Sequence, residues 1–228
     1  VPHPSPHPLL QDAAAYWDTY KPHKGEGTQP RPPADVFEWT QYPGHGPGAE
    51  LLGDPAAALD LGAAECVEAA FLARQRVTVT AVDLSPAQVK RARVWWHDLP
   101  CLEIVHADVI SYLTEADRTW DTVYSVWGAV WFTDPELLLP LIAKRLAPGG
   151  RLAFSHAEPT GISGPQQMRG HWLDDHPDAT VLRWQYRPQE WTRLLRQAGF
   201  ETTDARVVAA PESGKPGTLV VTAGVGVG

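Results

Sequence analysis

Two cysteines, Cys66 and Cys101, in 228 residues are too few for a disulfide scaffold. Both sit in apolar contexts, and they read as free thiols of a reduced, cytoplasmic interior. No run of Lys and Arg interrupts a net charge of −8, so the footprint of a nucleic-acid-binding protein is missing. No apolar stretch reaches the about 18 residues of a membrane span. The opening residues, Val1 to Pro4, have neither the basic region nor the apolar core of a signal peptide. There is no P-loop and no Gly-x-Ser-x-Gly elbow. Zinc-like Cys/His spacing is also missing. His3 and His7 are four apart, but the prolines between them forbid a helix, and His171 and His176 are five apart, off any common helical face. No metal site is expected. Hydrophobic content of 43% with 20% charged residues is that of an ordinary globular chain. The length suits one domain with an added N-terminal segment.

What is there is organised around residues 57–83. A short apolar run, Ala57 to Leu61, ends at Gly62. Val67, Ala70 and Phe71 follow at helical spacing, and a second apolar run from Val77 to Val82 closes on Asp83. Strand, glycine turn, helix and strand make one βαβ unit. Ligands of such units bind beyond the carboxyl ends of the strands. Asp83 lies there, close to the ~20 residues after the glycine turn at which a ribose-binding acid is expected. A dinucleotide site needs Gly-x-Gly-x-x-Gly, whereas the turn Gly62-Ala63-Ala64-Glu65-Cys66-Val67 has one glycine of the three. Glu65 is expected in the first helical turn, where it would repel a pyrophosphate but not a ligand carrying an ammonium and a sulfonium. The electrostatics lean from NAD towards S-adenosylmethionine.

The same residues resemble the class I S-adenosylmethionine-dependent methyltransferases, whose first strand and turn read Asp-x-Gly-x-Gly-x-Gly. Asp60 and Gly62 match its start; Ala64 and Cys66 stand at the second and third glycines. Ala64 is accommodated there if its φ is negative, and Cys66 is expected inside the helix. Asp83 matches the family's ribose acid, and Ala107-Asp108 its adenine-side acid. Leu146-Ala147-Pro148-Gly149-Gly150-Arg151-Leu152 resembles its Leu-x-Pro-Gly-Gly-x-Leu turn before the fifth strand. The resemblance covers residues 55–157 well. It implies S-adenosyl-L-methionine as cofactor, with contacts from Asp60, Gly62, Ala64, Asp83, Leu84, Asp108, Val109 and Trp127. It further implies an α/β, Rossmann-like, doubly wound fold: a mostly parallel seven-stranded sheet with an antiparallel last strand.

The rest of the chain fits that layout. Residues 1–48 read as a Pro-rich tail, a helix over Leu9 to Tyr20 and a Pro/Gly-rich cover with a short helix around Asp35 to Gln41. Residues 49–228 read as the methyltransferase domain. Ser85-Pro86-Ala87-Gln88 is a helix start of capping-box type. Leu102 to His106, Asp121 to Trp127 and Leu152 to His156 are expected as strands three to five. A helix follows Pro135, another follows Pro188, and Phe200 to Val208 and Thr218 to Ala223 form a closing hairpin. Residues 160–187 are an insertion that suits a substrate cap.

Methyl transfer from a sulfonium needs in-line positioning, exclusion of water and, for some acceptors, removal of a proton. His156, after strand five, is the candidate general base for a hydroxyl; the alternative is a satisfied polar residue at the sheet rim. Tyr16, Trp131, Phe132, His171 and Trp172 are the candidate substrate residues. For Tyr16, Trp131 and Phe132 the competing reading is plain packing. The Asn/Asp-Pro-Pro-Tyr/Phe tetrapeptide of amino-directed methyltransferases is missing after strand four. The expected activity is methylation of a small-molecule acceptor, on oxygen, by a monomer or homodimer with no nucleic-acid or membrane partner. Three rivals stand beside it: a non-methylating S-adenosylmethionine-binding relative, a nicotinamide-dependent oxidoreductase and a structural interaction protein with a tryptophan-lined partner surface.

Overall fold

In the computed structural model, residues 8–20, 30–169 and 180–227 are described, with the side chains of residues 13–20, 30–169 and 180–227. Two short apolar runs form the centre of a sheet: β1 (Ala57–Leu61) and β2 (Thr78–Asp83), joined through α2 (Val67–Arg74). β3 (Leu102–His106) follows α3 (Pro86–Trp95), and β4 (Trp120–Val126) follows α4 (Val109–Glu115). The short α5 (Ala129–Phe132) and α6 (Pro135–Arg145) lead into β5 (Leu146–Ala157). A separate hairpin, β6 (Gly164–Met168) and β7 (Val181–Gln185), precedes α7 (Pro188–Gln197), β8 (Thr202–Val208) and β9 (Thr218–Gly224). At the amino end lie α1 (Pro8–Asp18) and a 3-10 turn, Ala49–Leu52.

The seven-stranded sheet has the order β3-β2-β1-β4-β5-β9-β8. Strands β3, β2, β1, β4 and β5 pair in parallel, and β9 runs antiparallel between β5 and β8. This is the expected doubly wound fold with its antiparallel closing strand. Right-handed crossovers put helices on both faces of such a sheet, and the residue alternation within β1 shows it. Leu59 and Leu61 enter one core with Leu113 of α4, Leu138 and Ile142 of α6, and Trp191 and Leu195 of α7. Ala58 enters the other, with Ala69 and Ala70 of α2 and Ala92 of α3. Full burial of each leucine contributes ~2 kcal/mol.

Three local expectations change. Residues 35–41 are not helical. Instead this Pro/Gly-rich segment is a strap: Phe37 and Trp39 are buried in the second core, Trp39 Nε1 donates to Gly48 O at 2.8 Å, and Arg31 grips Asp98 while lying 4.3 Å over the Trp96 ring. The fifth strand starts at Leu146, because Leu146 already pairs with Trp120 and the Pro-Gly-Gly turn is a bulge within it. Helix α4 and the β6–β7 hairpin are additions. Among the described residues, no helix is long and apolar enough to cross a membrane.

Candidate active site

Strand order reverses between β1 and β4, which opens a crevice at their carboxyl ends. The loop after β1 enters it. Gly62 N and Ala63 N both donate to Val82 O, at 2.9 and 3.2 Å, and Cys66 N closes a turn onto Ala63 O at 2.7 Å. Three positions of this loop are left-handed: Gly62 (φ +79), Ala64 (φ +44) and Cys66 (φ +57). These are the three glycine places of the Asp-x-Gly-x-Gly-x-Gly pattern. The conformation therefore persists where two glycines do not. Ala64 does not have the negative φ that would accommodate it without strain, and Cys66 is the N-cap of α2 rather than part of the helix. Cys66 is held there by burial of its side chain, 1% exposed.

The loop touches the turn after β4 at backbone distance. A Cβ on Gly62 would stand 2.3 Å from Ala129 N, and one on Gly128 would stand 2.5 Å from Leu61 O. Ser125 Oγ ties the two turns, donating to Leu61 O at 2.7 Å and accepting from Val130 N at 3.2 Å. Trp127, the last position before Gly128, is also left-handed (φ +51), and its indole donates to Trp39 O at 2.9 Å. Among the described residues four non-glycine residues have positive φ, and Ala64, Cys66 and Trp127 are three of them. Strain of this kind concentrates at functional sites.

Asp83 closes the crevice from β2. Its Oδ2 accepts from Ala64 N at 2.7 Å and its Oδ1 from Ser85 N at 2.8 Å. Each carboxylate oxygen keeps a further lone pair, so a diol can still be held. Burial pushes the Asp83 carboxyl up, and the two backbone N–H groups oppose this. Asp60, 3% exposed and opposite Tyr124 across the strands, is pushed well above the usual carboxylate range by burial and then by Glu68. The same acids and burial push the Cys66 thiol up. The wall thus gathers carboxylates, with Glu68 and Asp83 both raising the proton affinity of Asp60, a setting that favours a cation. Glu65 does not lie in a helical turn as expected. It precedes α2, and its carboxylate pairs with Arg91 of α3 at 2.7 Å. That pairing removes much of its repulsion of a phosphate.

Asp108 caps α4, accepting from Ser111 N at 2.9 Å with Oδ1. Val109 is buried beside it, and Leu84 O meets His106 Nε2 at 3.0 Å. Asp60, Gly62, Ala64, Asp83, Leu84, Asp108, Val109 and Trp127 therefore all lie along the carboxyl edge of β1 to β4.

A second group of side chains stands beyond β4 and β5. Tyr16 and Trp17 of α1 pack with Phe132 of α5 and with Met168 and Val181 of the β6–β7 hairpin. Trp17 meets Phe132 edge to face at 4.6 Å, and Phe132 leans on Trp131 at 5.0 Å. Helix α1 is anchored at its carboxyl end. Asp18 accepts from Ser85 Oγ at 2.5 Å and from Ala87 N at 3.2 Å, and Gln88 Nε2 donates to Tyr20 O at 2.7 Å. Sequence reasoning missed Asp18, which carries no motif.

His156 is fully buried and stacked on Trp131 at 5.2 Å with the rings 7° apart. Its Nδ1 meets Ala157 O at 2.8 Å, and its Nε2 accepts from Trp191 Nε1 at 3.1 Å. The first contact needs a proton on Nδ1 and the second needs a lone pair on Nε2, so the ring is neutral and both nitrogens are engaged. Burial lowers its pKa to about 4. This geometry speaks against the general-base expectation and for the satisfied polar residue at the sheet rim. His171 and Trp172 lie outside the described residues.

Comparison with known proteins agrees with this arrangement. Residues 47–205 match the model of a methyltransferase domain. Over 170 residues the chain is 35% identical to a trans-aconitate 2-methyltransferase of Methylobacterium radiotolerans, covering 68% of this chain and 64% of that one. Over 127 residues it is 30% identical to the enzyme of that name from Paracidovorax citrulli, covering 54% and 45%. The chain thus spans less than two thirds of either curated relative. In structure it resembles the Burkholderia thailandensis 1,6-didemethyltoxoflavin-N1-methyltransferase solved with S-adenosylhomocysteine, with a TM-score of 0.58, 28% identity and coverage of 78% and 74%. A glycopeptide N-methyltransferase complexed with sinefungin shares the fold at a TM-score of 0.60, 21% identity and coverage of 78% and 83%. The left-handed loop, the terminal acids of β1 and β2 and the strand order belong with these matches: the chain is a member of the class I S-adenosylmethionine-dependent methyltransferase family.

Proposed function

We propose that the protein methylates a small-molecule acceptor held between α1, α5 and the β6–β7 hairpin, with S-adenosyl-L-methionine along the carboxyl edge of β1 to β4. The observation that carries this is the buried acid pair, Asp60 and Asp83, with Glu68 beside Asp60, around a loop whose backbone keeps its left-handed form without two of its glycines. When bound, the cofactor supplies a methyl group already activated on a sulfonium. The chain has five tasks around it. The loop of Gly62 and Ala64, with Asp60, holds the methionine end. Asp83 accepts from the ribose hydroxyls. Leu84, Asp108 and Val109 flank the adenine. Trp127 forms the boundary with the acceptor. The last task, desolvation and alignment, falls to Tyr16, Trp131 and Phe132; His171 and Trp172 are assigned to the acceptor on sequence alone.

His156 acts here as a positioning residue. It fixes Trp131 by stacking and is itself fixed by Trp191. With no lone pair left on its ring, an oxygen acceptor that is already anionic fits this site better than a neutral hydroxyl that must lose a proton. The division into a cover, residues 1–48, and a methyltransferase domain, residues 49–228, belongs to the same reading. So does a reduced cytoplasmic setting, supported by the free thiols of Cys66 and Cys101. A net charge of −8 supports a small molecule over a nucleic acid, and the protein is taken to act as a monomer or homodimer.

Calorimetric titration with S-adenosylhomocysteine, S-adenosylmethionine and NAD tests the reading. Micromolar binding of the adenosyl pair without NAD is the expected result. No adenosyl binding refutes it.

A further inference from the structure

Strand β7 alternates Val181, Arg183 and Gln185 on the face turned towards α1 and α5, with Leu182 on the exposed side. Arg183 places its guanidinium carbon 5.5 Å from the centre of the Trp131 ring. With the amide of buried Gln185 oriented by its neighbours, the Gln185 oxygen accepts from Arg183 Nε and Nη2 at 3.3 Å each. One edge of the guanidinium is thereby fixed, and Nη1 is left over.

Five other arginines of the described chain have acceptors that answer their charge or fork. Arg91 pairs with Glu65, Arg31 with Asp98, Arg74 with Asp35 and Arg118 with Glu103. Arg145 binds the carbonyls of Leu113 and Thr114. Among the described residues no carboxylate pairs with Arg183. Burial lowers its pKa, opposed by Tyr16, so the half-buried cation stands among Tyr16, Trp131, His156 and Gln185. His156 is neutral and the other three carry no formal charge.

A second donor is left over beside it. Trp131 is 6% exposed, and its indole N–H is buried with no acceptor among the described residues. A half-buried cation and a buried N–H without acceptors each carry a free-energy cost that an anionic ligand would remove. The guanidinium fork matches a carboxylate in particular.

We infer that Arg183, steadied by Gln185 and seated over Trp131, is a specificity-determining residue that holds a carboxylate of the acceptor. This inference rests on the functional reading above, since that reading places the acceptor beside Trp131. It accounts for a cation in a wall that is otherwise aromatic and neutral. It also assigns the β6–β7 hairpin a role in choosing the acceptor as well as covering it.

The test uses the full chain saturated with S-adenosylhomocysteine. Acetate, benzoate, succinate and trans-aconitate are titrated against their uncharged amides, followed by tryptophan fluorescence and calorimetry. At least one carboxylate should bind about ten-fold or more tightly than its amide, the scale of a charge-assisted hydrogen bond. In Arg183→Gln that preference should fall to within about two-fold, with the affinity for S-adenosylhomocysteine unchanged. Arg183→Lys should keep part of it, because charge remains while the fork is lost. A preference that survives in Arg183→Gln, or no preference anywhere in the set while S-adenosylhomocysteine binds normally, overturns this inference alone. Failure of the wild-type protein to bind S-adenosylhomocysteine overturns the functional reading and this inference together.

Discussion

Restoring a glycine at residue 64 should stabilise the protein, although it removes a methyl group. Ala64 has φ +44, and a left-handed residue with a Cβ carries roughly 1–2 kcal/mol of strain. Ala64→Gly releases that strain. Against it stand about 0.4–1 kcal/mol from the greater freedom of the unfolded chain and a few tenths for a half-buried methyl. The hydrogen bond from residue 64 N to Asp83 is a backbone bond and survives. The balance is a gain of about 0.5 kcal/mol, or about 1–2 °C in melting temperature for a chain of this size. Cys66→Gly has the same strain to release, at φ +57, but it also empties a site in which the thiol is 1% exposed. Losing a buried side chain of that size costs ~1–2 kcal/mol before any cavity is counted, so Cys66→Gly should lower the midpoint. Scanning calorimetry with and without S-adenosylhomocysteine reads both variants. The reasoning fails if Ala64→Gly melts below the wild type, or if Cys66→Gly melts above Ala64→Gly.

Three further outcomes are expected. Asp83→Asn should weaken binding of S-adenosylhomocysteine by roughly 1.5–3 kcal/mol, the scale of hydrogen bonds to a charged group; calorimetry showing unchanged affinity would remove the ribose assignment. Gly128→Ala drives a Cβ to 2.5 Å from Leu61 O and 2.7 Å from Gly62 O, both backbone. It should cost several kcal/mol and abolish cofactor binding in whatever folds, and a variant that melts and binds like the wild type would contradict the close approach of the two turns. His156 titrates at about 4 in the folded chain, against 6.5 for an unperturbed imidazole. Between these values the unfolded chain holds the extra proton, so this contribution to stability is complete above pH 6.5 and is lost as pH falls, by about 3 kcal/mol at pH 4. Urea denaturation of His156→Asn should therefore show a shallower decline over that window, and parallel curves would show that the buried neutral imidazole is not the cause.

The cofactor half of this site could be read from sequence because it is local. Residues 57–83 carry a period-2 run, a glycine, a helical stripe and a terminal acid in one continuous stretch, and each feature needs only its neighbours to be recognised. Ser85 likewise caps α3 through Gln88 N at 3.1 Å. The conformation of Ala64 and Cys66 could not be read, because their residue types argue for ordinary backbone, whereas the bond of Ala64 N to Asp83 and the burial of the Cys66 side chain hold them in another. Helix α4 is one short element whose core side, Val109 and Leu113, is too brief for a period to stand out. The β6 sequence Gly-Pro-Gln-Gln-Met has none of the branched or aromatic residues that mark a strand; only its pairing with β7 makes it one. The proposed acceptor half draws on residues 13–20, 129–132, 164–168 and 181–185, which no spacing rule connects. His156 had the right residue type in the right region, but its partner Trp191 lies 35 positions away, and that partner decides what the imidazole can do.

The β6–β7 hairpin is spliced into the crossover between β5 and α7, and both splice points are held without it. Upstream, Ala157 pairs with Thr218, and Glu158 Oε2 accepts from Gly217 N at 2.7 Å. Downstream, Arg187 N donates to Glu190 Oε2 at 2.9 Å at the start of α7. The hairpin from Gly164 to Gln185 can therefore be exchanged as a cassette while the sheet keeps its register. Under the proposed function, acceptor choice can then drift along one segment of the gene while the cofactor loop, far upstream, stays under separate constraint. Chimaeras that carry a different cassette should keep the parent's cofactor affinity and differ in what they methylate.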